Sequence, residues 1–474
     1  MPRQIDIGPR DPERFRSVLA PERFAEFEAA AGRGRSLLEG RAVWNVSSTA
    51  QGGGVVELLR PLVAYARGTG VDARWIVIDG TPEFFQVTKR IHNRLHGAAG
   101  DGGPLDDDAR RIYEETLRRN AVELRDRVRR GDLVVVHDPQ PAGMIPMFRE
   151  MGAHVIWRCH VGIDEPNDLV REAWAFLLPW VRDAQAQVFS REAFVWDGLD
   201  REQVAIIWPS IDVFTPKNID VDGDTVGAAL RACGLVADGP AEAVTFVRQD
   251  GTPGRIERHA TLVEDVRLRL EDPVVVQVSR WDALKDPIGV ITGFAEHVPP
   301  ETGAHLVYAG PAVDSVGDDP EGLATLRAAI EARGRLPADA RRRIHLASLP
   351  LDDLDENAFM VNALQRHASV IAQKSIAEGF GLTVAEGMWK ARPVVATRVG
   401  GIQEQIEHGK TGILLDDAHD LARFGAEITR LLRDPARAEQ LGAAARENVR
   451  DRFTTIRSLV DYEAVARRVL ATAT

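Results

Sequence analysis

The sequence predicts an α/β fold of two doubly wound, Rossmann-like domains. One observation is length: 474 residues amount to two to four domains at roughly 100 to 200 residues each. Another is that short apolar, β-branched runs recur in two series of six, with helical-period segments between most of them. Runs that are apolar throughout and separated by helices are the pattern of strands buried on both faces of a parallel sheet. A composition of 44% hydrophobic and 27% charged residues is that of an ordinary globular chain and excludes a mostly disordered or fibrous one.

Residues 1–40 are polar and helix-prone and read as an N-terminal helical arm packed on the first domain. The first Rossmann-like domain spans 41–215, with strands expected at 42–47, 73–78, 133–137, 154–159, 186–190 and 204–207. Residues 216–270 hold polar Gly/Asp-rich stretches and no clear strand, so they are assigned as a junction. The second domain spans 271–455, with strands expected at 273–278, 305–309, 343–347, 369–372, 393–397 and 412–415. The terminal segment 456–474 is helical in pattern and could cross back to the first domain.

Acidic residues exceed basic ones by 71 − 59 = 12, for a net charge of −12, which opposes general attraction to nucleic acid or to anionic membranes. Any anionic ligand must therefore be held by local positive groups. Only six of the basic residues are lysines, namely Lys89, Lys217, Lys285, Lys374, Lys390 and Lys410. Two cysteines, Cys159 and Cys233, suit a reducing compartment. The first residues lack a signal-peptide pattern, and no run of about 18 apolar residues occurs. The expectation is a cytoplasmic protein that works on small molecules, and a homodimer is compatible with it.

In open α/β sheets ligands bind beyond the carboxyl ends of strands. The first strand runs into Ser47-Ser48-Thr49-Ala50-Gln51-Gly52-Gly53-Gly54, where glycines and a following helix start suit an anion. A tight strand-to-helix turn would use the same glycines, and the dinucleotide fingerprint Gly-x-Gly-x-x-Gly is not matched. Strand 133–137 leads into His137, Asp138 and Gln140, and strand 154–159 into His160, so one cleft could collect them. After strand 273–278, Asp286 and Pro287 read as the N-cap and first residue of a helix, leaving Arg280 and Lys285 in the loop before it. Two such cations suit a diphosphate, although both could simply face water. Residues Glu378 to Glu386 place Gly381, Leu382 and Thr383 at the start of a helix expected at 384–390. Thr383 and Glu386 have the spacing of a capping box, whereas Glu378 has no such local role and could accept hydrogen bonds from sugar hydroxyls.

These features resemble retaining glycosyltransferases of family 4 with the GT-B fold, in which two facing doubly wound domains enclose a cleft. The segments VWNVSSTAQGGGVVELL, ARWIVIDGTPEFFQVTKRIHNRLHG, VVVHDPQPAGMIP, VIWRCHVGID and QVSRWDALKDPIGVI resemble, more closely, trehalose synthases of the glycosyltransferring type. The resemblance runs from about residue 41 to 450. It implies transfer of glucose from a nucleotide-activated donor (ADP-, UDP- or GDP-glucose) to free glucose. It assigns Arg280 and Lys285 to the donor diphosphate, and Gly53, Gly54, Gly381, Leu382 and Thr383 to backbone contacts with phosphate and sugar. Glu378 is assigned to the transferred glucose, Glu386 to the ribose and His160 to the neighbourhood of the donor glucose. Asp138, Gln140, Lys89 and His92 are assigned to the acceptor.

The resemblance further implies front-face attack with retention, no cofactor and no required metal. The strand-end rule, with the polar junction 216–270 as a hinge, leads to the expectation that the two domains close over the donor. The acidic run Asp106-Asp107-Asp108 in a Gly/Pro/Asp-rich stretch reads as a solvated turn in preference to a cation site. Two other readings share the scaffold: a retaining trehalose phosphorylase, and a non-catalytic sugar-nucleotide sensor. The sensor is expected to lack Glu378 or the Arg/Lys pair, and all three are present.

Overall fold

The computed structural model describes residues 1–50, 53–239, 243–313 and 320–471. Gln51 and Gly52 of the first glycine-rich loop lie outside them. The chain forms two compact units, one of residues 1–211 with 451–474 and the other of residues 212–450.

The first unit holds strands β1 (Arg3–Ile5), β2 (Ala42–Ser47), β3 (Asp72–Val77), β4 (Leu133–His137), β5 (His154–Arg158), β6 (Ala186–Phe189) and β7 (Val204–Ile206). They order as β1-β3-β2-β4-β5-β6-β7, all parallel except β1, which runs antiparallel to β3 at the edge. The six expected strands therefore form within a residue or two of their predicted bounds. β1 was missed inside the arm because its three residues RQI have two exposed positions and no apolar run to mark them.

The second unit has a short antiparallel hairpin, β8 (Thr245–Val247) with β9 (Pro253–Arg255). Its main sheet comprises β10 (Thr261–Val263), β11 (Val274–Val278), β12 (His305–Pro311), β13 (Ile344–Leu349), β14 (Val370–Gln373), β15 (Val394–Thr397) and β16 (Ile413–Leu415). The order is β10-β13-β12-β11-β14-β15-β16, again with one antiparallel edge strand, β10. Segment 216–270 is thus not strandless: it carries β8, β9, β10 and helix Gly223–Ala232. These strands are three residues each and largely exposed, so hydrophobic patterning does not reveal them.

Asp106 to Asp108 also differ from the expected turn. Asp106 caps helix Asp107–Leu124 by accepting from the Ala109 amide (3.0 Å), with Asp107 and Asp108 in its first turn, where negative charge complements the helix dipole. Helix Thr455–Ala471 belongs to the first unit, and its Glu463 pairs with Arg33 of helix Pro21–Leu37 at 3.0 Å. Its Val465, Ala466 and Val469 pack with Leu133, Val135 and Ile156 of the sheet. At the amino ends of β2 and β4, buried Asp132 accepts from the Ala42 amide and from Trp44 Nε1, both at 2.9 Å.

Strand order fixes where ligands can bind. In the first unit it reverses between β2 and β4, and in the second between β11 and β14. The crevice beyond the carboxyl ends at such a reversal is the ligand position of open α/β sheets. The loops at those two points are the ones that begin at Ser47 and Asp138, and at Ser279 and Lys374.

Candidate active site

At the second unit's reversal point the loops after β11 and β14 meet. Lys285 Nζ lies 2.6 Å from Glu378 Oε2, and both side chains are mostly buried. Beneath them is a polar layer of strand-end side chains. Gln277 Nε2 donates to the Lys285 carbonyl (2.8 Å), and Gln373 Nε2 donates to Ser279 Oγ (3.2 Å) and Ser375 Oγ (3.0 Å). Lys374, wholly buried, pairs with Asp286 and donates to the Ala418 carbonyl at 2.6 Å. Asp286 has φ 50° and caps helix Pro287–His297 by accepting from the Gly289 amide, as its sequence position predicts. A buried lysine thus anchors the residue next to Lys285. Arg280 is different: it is exposed and pairs with Asp282 at 3.0 Å.

Helix Leu382–Trp389 starts two residues earlier than expected, with Gly381 as N-cap at φ 79°. Leu382 and Thr383 therefore supply its first amides, the end of a helix that favours an anion. The capping box does not form. Glu386 lies beyond the first turn, and Thr383 Oγ1 instead donates to Gln373 Oε1 at 3.0 Å. Glu386 is buried, with Oε1 2.9 Å from Lys217 Nζ, while Oε2 is shut off from solvent without a hydrogen-bond partner among the described residues. A carboxylate oxygen left unmet in the interior is costly, and such an atom is a natural receiver for a ligand hydroxyl. Lys217 was missed as a site residue because it sits in the segment read as a junction, 169 positions before Glu386.

In the first unit, Gly53 (φ 81°) caps helix Gly54–Gly68, and both glycines are exposed. Asn45, His137 and His160 form a chain. Asn45 Nδ2 donates to the Arg74 carbonyl (3.4 Å), which turns Oδ1 toward His137 Nε2 (3.1 Å). The proton on Nε2 leaves His137 Nδ1 as acceptor for His160 Nε2, 3.2 Å away. His160 Nδ1 is then a bare acceptor, buried and without a partner among the described residues. Burial, aided by nearby Arg158, pushes His137 down to about 3 and His160 well below its ordinary value, so both are neutral near pH 7.

Asp138 has φ 65° and a buried carboxyl whose Oδ1 accepts from the His160 amide at 2.8 Å. Its visible work is holding the His160 backbone. Burial pushes its carboxyl up to about 7. Gln140 is half-buried after β4. Lys89 is exposed and His92 half-buried on helix Pro82–Leu95, where His92 meets the His96 ring edge-on at 4.8 Å. The end of that helix is tied to the stretch after His160 by Asn167 Nδ2 donating to the Gly97 carbonyl (2.9 Å).

Among the described residues no group of three or more His, Cys, Asp or Glu side chains could hold a metal ion. No helix among them is long and apolar enough to cross a membrane.

Residues 355–448 match the family described as glycosyl transferases group 1. The fold is similar to an α,α-trehalose-phosphate synthase (UDP-forming) from Burkholderia vietnamiensis, with TM-score 0.63 at 16% identity, covering 92% of this chain and 98% of that one. Together with two sheets that each carry polar loops at a strand-order reversal, this defines a GT-B glycosyltransferase. Residues 45–196 match the trehalose synthase N-terminal domain. The chain is 36% identical to a trehalose synthase of Rubrobacter xylanophilus and 33% identical to one of Pyrococcus horikoshii, each alignment covering 97% of both chains. It belongs to the trehalose synthase family.

Proposed function

We propose that this protein is a retaining glucosyltransferase that reversibly makes α,α-trehalose from a nucleoside-diphosphate glucose and free glucose. The observation that carries this reading is the Lys285–Glu378 pair, 2.6 Å apart, held at the strand-order reversal beside the start of helix Leu382–Trp389. Cation, helix start and carboxylate together suit a diphosphate joined to a sugar.

In the proposed step the acceptor's anomeric hydroxyl oxygen attacks the donor's anomeric carbon from the face that the diphosphate leaves. The bond from that carbon to the phosphate oxygen breaks as the new glycosidic bond forms, and the departing phosphate oxygen takes the acceptor's proton. Lys285 and Arg280 offset charge that grows on the diphosphate, where such help counts most in the transition state. Arg280, free of deep packing, would swing from Asp282 to the phosphates. Glu378 accepts from hydroxyls of the transferred glucose, and Glu386 Oε2 from the ribose. His160 Nδ1 accepts from a sugar hydroxyl, while Asp138, Gln140, Lys89 and His92 serve the acceptor side.

The test is incubation with glucose and each of ADP-, UDP- and GDP-glucose in EDTA, with the product identified by NMR. α,α-Trehalose is the expected product. An inverted linkage, or a strict need for glucose 6-phosphate, would overturn the reading. Cleavage of trehalose by inorganic phosphate with no nucleotide present would make the protein a phosphorylase instead.

A further inference from the structure

A second cluster of positive charge lies in the second unit, at the amino ends of β14 and β15, the edge opposite the Lys285–Glu378 site. Arg366 and His367 end helix Leu354–His367, just before β14, and Lys390 and Arg392 follow helix Leu382–Trp389, just before β15. With Val221 and Gly223 these side chains line a cavity of about 230 Å³. No carboxylate is among its described lining residues. The eight-residue helix Leu382–Trp389 separates it from the donor-side loops by about 12 Å at 1.5 Å per residue.

Part of the cluster is tied to the segment 218–220 that precedes helix Gly223–Ala232. Arg366 donates to the Asn218 and Ile219 carbonyls (3.2 and 2.9 Å) and pairs with Asp220 at 2.8 Å. Lys390 Nζ donates to Asn218 Oδ1 at 2.7 Å. The remainder has no such account. His367 Nε2 and Arg392 Nε are shut off from solvent with no hydrogen-bond partner among the described residues. Arg366, His367, Lys390 and Arg392 are all held below their ordinary pKa, chiefly by burial and, except for Lys390, where the attraction of Glu386 comes second, with neighbouring positive charge adding to it or, for Arg366, the attraction of Asp220 opposing it. Of the surrounding acids, Glu386, one turn before Lys390, attracts Lys390 through space while its Oε1 pairs with Lys217, and the others are engaged or more distant. Asp220 is shared between Arg366 and Arg446, Asp222 caps helix Gly223–Ala232 through Thr225, and Asp238 and Asp272 act on His367 only through space. Gly223, the first residue of that ten-residue helix, adds the positive end of its dipole to the cavity.

We propose that this cavity is a second anion site, distinct from the donor site, that takes a small phosphate-bearing molecule. A phosphoryl dianion would accept from Arg392 and His367 and would favour the charged forms of these buried basic side chains. The cavity has room for the phosphate together with an attached small organic group. Free phosphate and a hexose phosphate share the recognised chemistry.

The full-length chain carrying Lys285→Ala and Arg280→Ala, which silences the donor site, would be titrated calorimetrically with inorganic phosphate and with glucose 6-phosphate at constant ionic strength in chloride. Binding of at least one of them is expected to persist in this background, with a tighter ester naming the sugar phosphate as the source and equal affinity naming phosphate itself. Adding His367→Gln and Arg392→Gln should weaken it at least about tenfold. Absence of binding in the first background, or unchanged affinity in the second, would overturn the proposal. Should the fourfold variant fail to fold, crystals of the unmodified protein soaked in selenate decide the matter. An anomalous peak within hydrogen-bond reach of His367 and Arg392 supports the site, and none there removes it.

Discussion

Lys285 and Arg280 illustrate how differently two residues of one loop can be built. Lys285 is packed against Glu378, whereas Arg280 is 70% exposed at its side chain. Lys285→Ala should lower kcat/KM by about 10², roughly 2.7 kcal/mol of transition-state stabilisation, and Arg280→Ala by a similar factor if it reaches the diphosphate. Steady-state kinetics with the active donor checks both, and an unchanged rate in Arg280→Ala would restrict the electrostatic role to Lys285. Asp138 makes a pH prediction. Its folded pKa of about 7 exceeds the ordinary 3.8, so between these values the folded protein keeps a proton that the unfolded chain releases. Its contribution to stability is therefore present below about pH 4 and is lost as pH rises through 7. His137, about 3 when folded against 6.5 ordinarily, acts oppositely over that lower range, as does His160. Asp138→Asn removes only the first effect. The urea-denaturation stability of wild type minus variant should decline from pH 4 to 7 and then level, and a difference constant with pH would mean that the carboxyl is ionised throughout. None of these burials could be read from residue types: Asp138 and His160 were selected as strand-end polar residues, and only packing shows that the Asp138 carboxyl holds the backbone of His160.

The loop from Glu378 to Gly381 is shaped by a neighbouring element. Gly401 N donates to the Gly379 carbonyl (2.9 Å), and Gly400, at φ 49°, lies so close that a Cβ there would sit 1.7 Å from the Glu378 carbonyl oxygen. Gly400→Ala must therefore push the Glu378 loop aside as well as strain its own backbone. The expected outcome is a loss of at least about 2 kcal/mol of stability, together with a kcat/KM far lower than that stability loss explains. Thermal unfolding and kinetics on the folded fraction measure the two, and normal turnover would show that the Glu378 loop tolerates displacement. Glycines 400 and 401 attracted no notice in the sequence because their role depends on Glu378 and Gly379, each 22 residues earlier in the chain. The Asp286-Pro287 helix start, by contrast, was legible, since an N-cap and its following proline are chosen by local backbone needs. The supposed capping box at Thr383 and Glu386 shows the limit of local reading: the spacing matched, yet a half-buried lysine at position 217 claimed the carboxylate.

At the scale of the whole molecule the chain leaves the first unit after Ile211 and returns at Asp451, so the first unit needs both ends of the sequence. Ending the chain at Arg450 would strip Val465, Ala466 and Val469 from their place over β4 and β5. The loss should be on the order of 5 kcal/mol. Loss of a cooperative unfolding transition for the first unit, or its shift to much lower urea, is the expected result, and unfolding unchanged from the full chain would show that helix Thr455–Ala471 contributes little. The sequence by itself determined the twelve parallel strands, because a strand buried on both faces must be apolar along its length and that requirement is written locally. It also marked the strand-end residues from which Lys285, Glu378 and His160 were drawn. Tertiary structure alone decided the edge strands β1 and β10, whose short exposed sequences pair only because a sheet edge is there to receive them. It likewise decided the strand orders that place the site, the pairing of Lys217 with Glu386 and the basic cavity at the opposite edge. Each of these joins residues far apart in the chain, and their partnership becomes a physical fact only when folding removes water from between them.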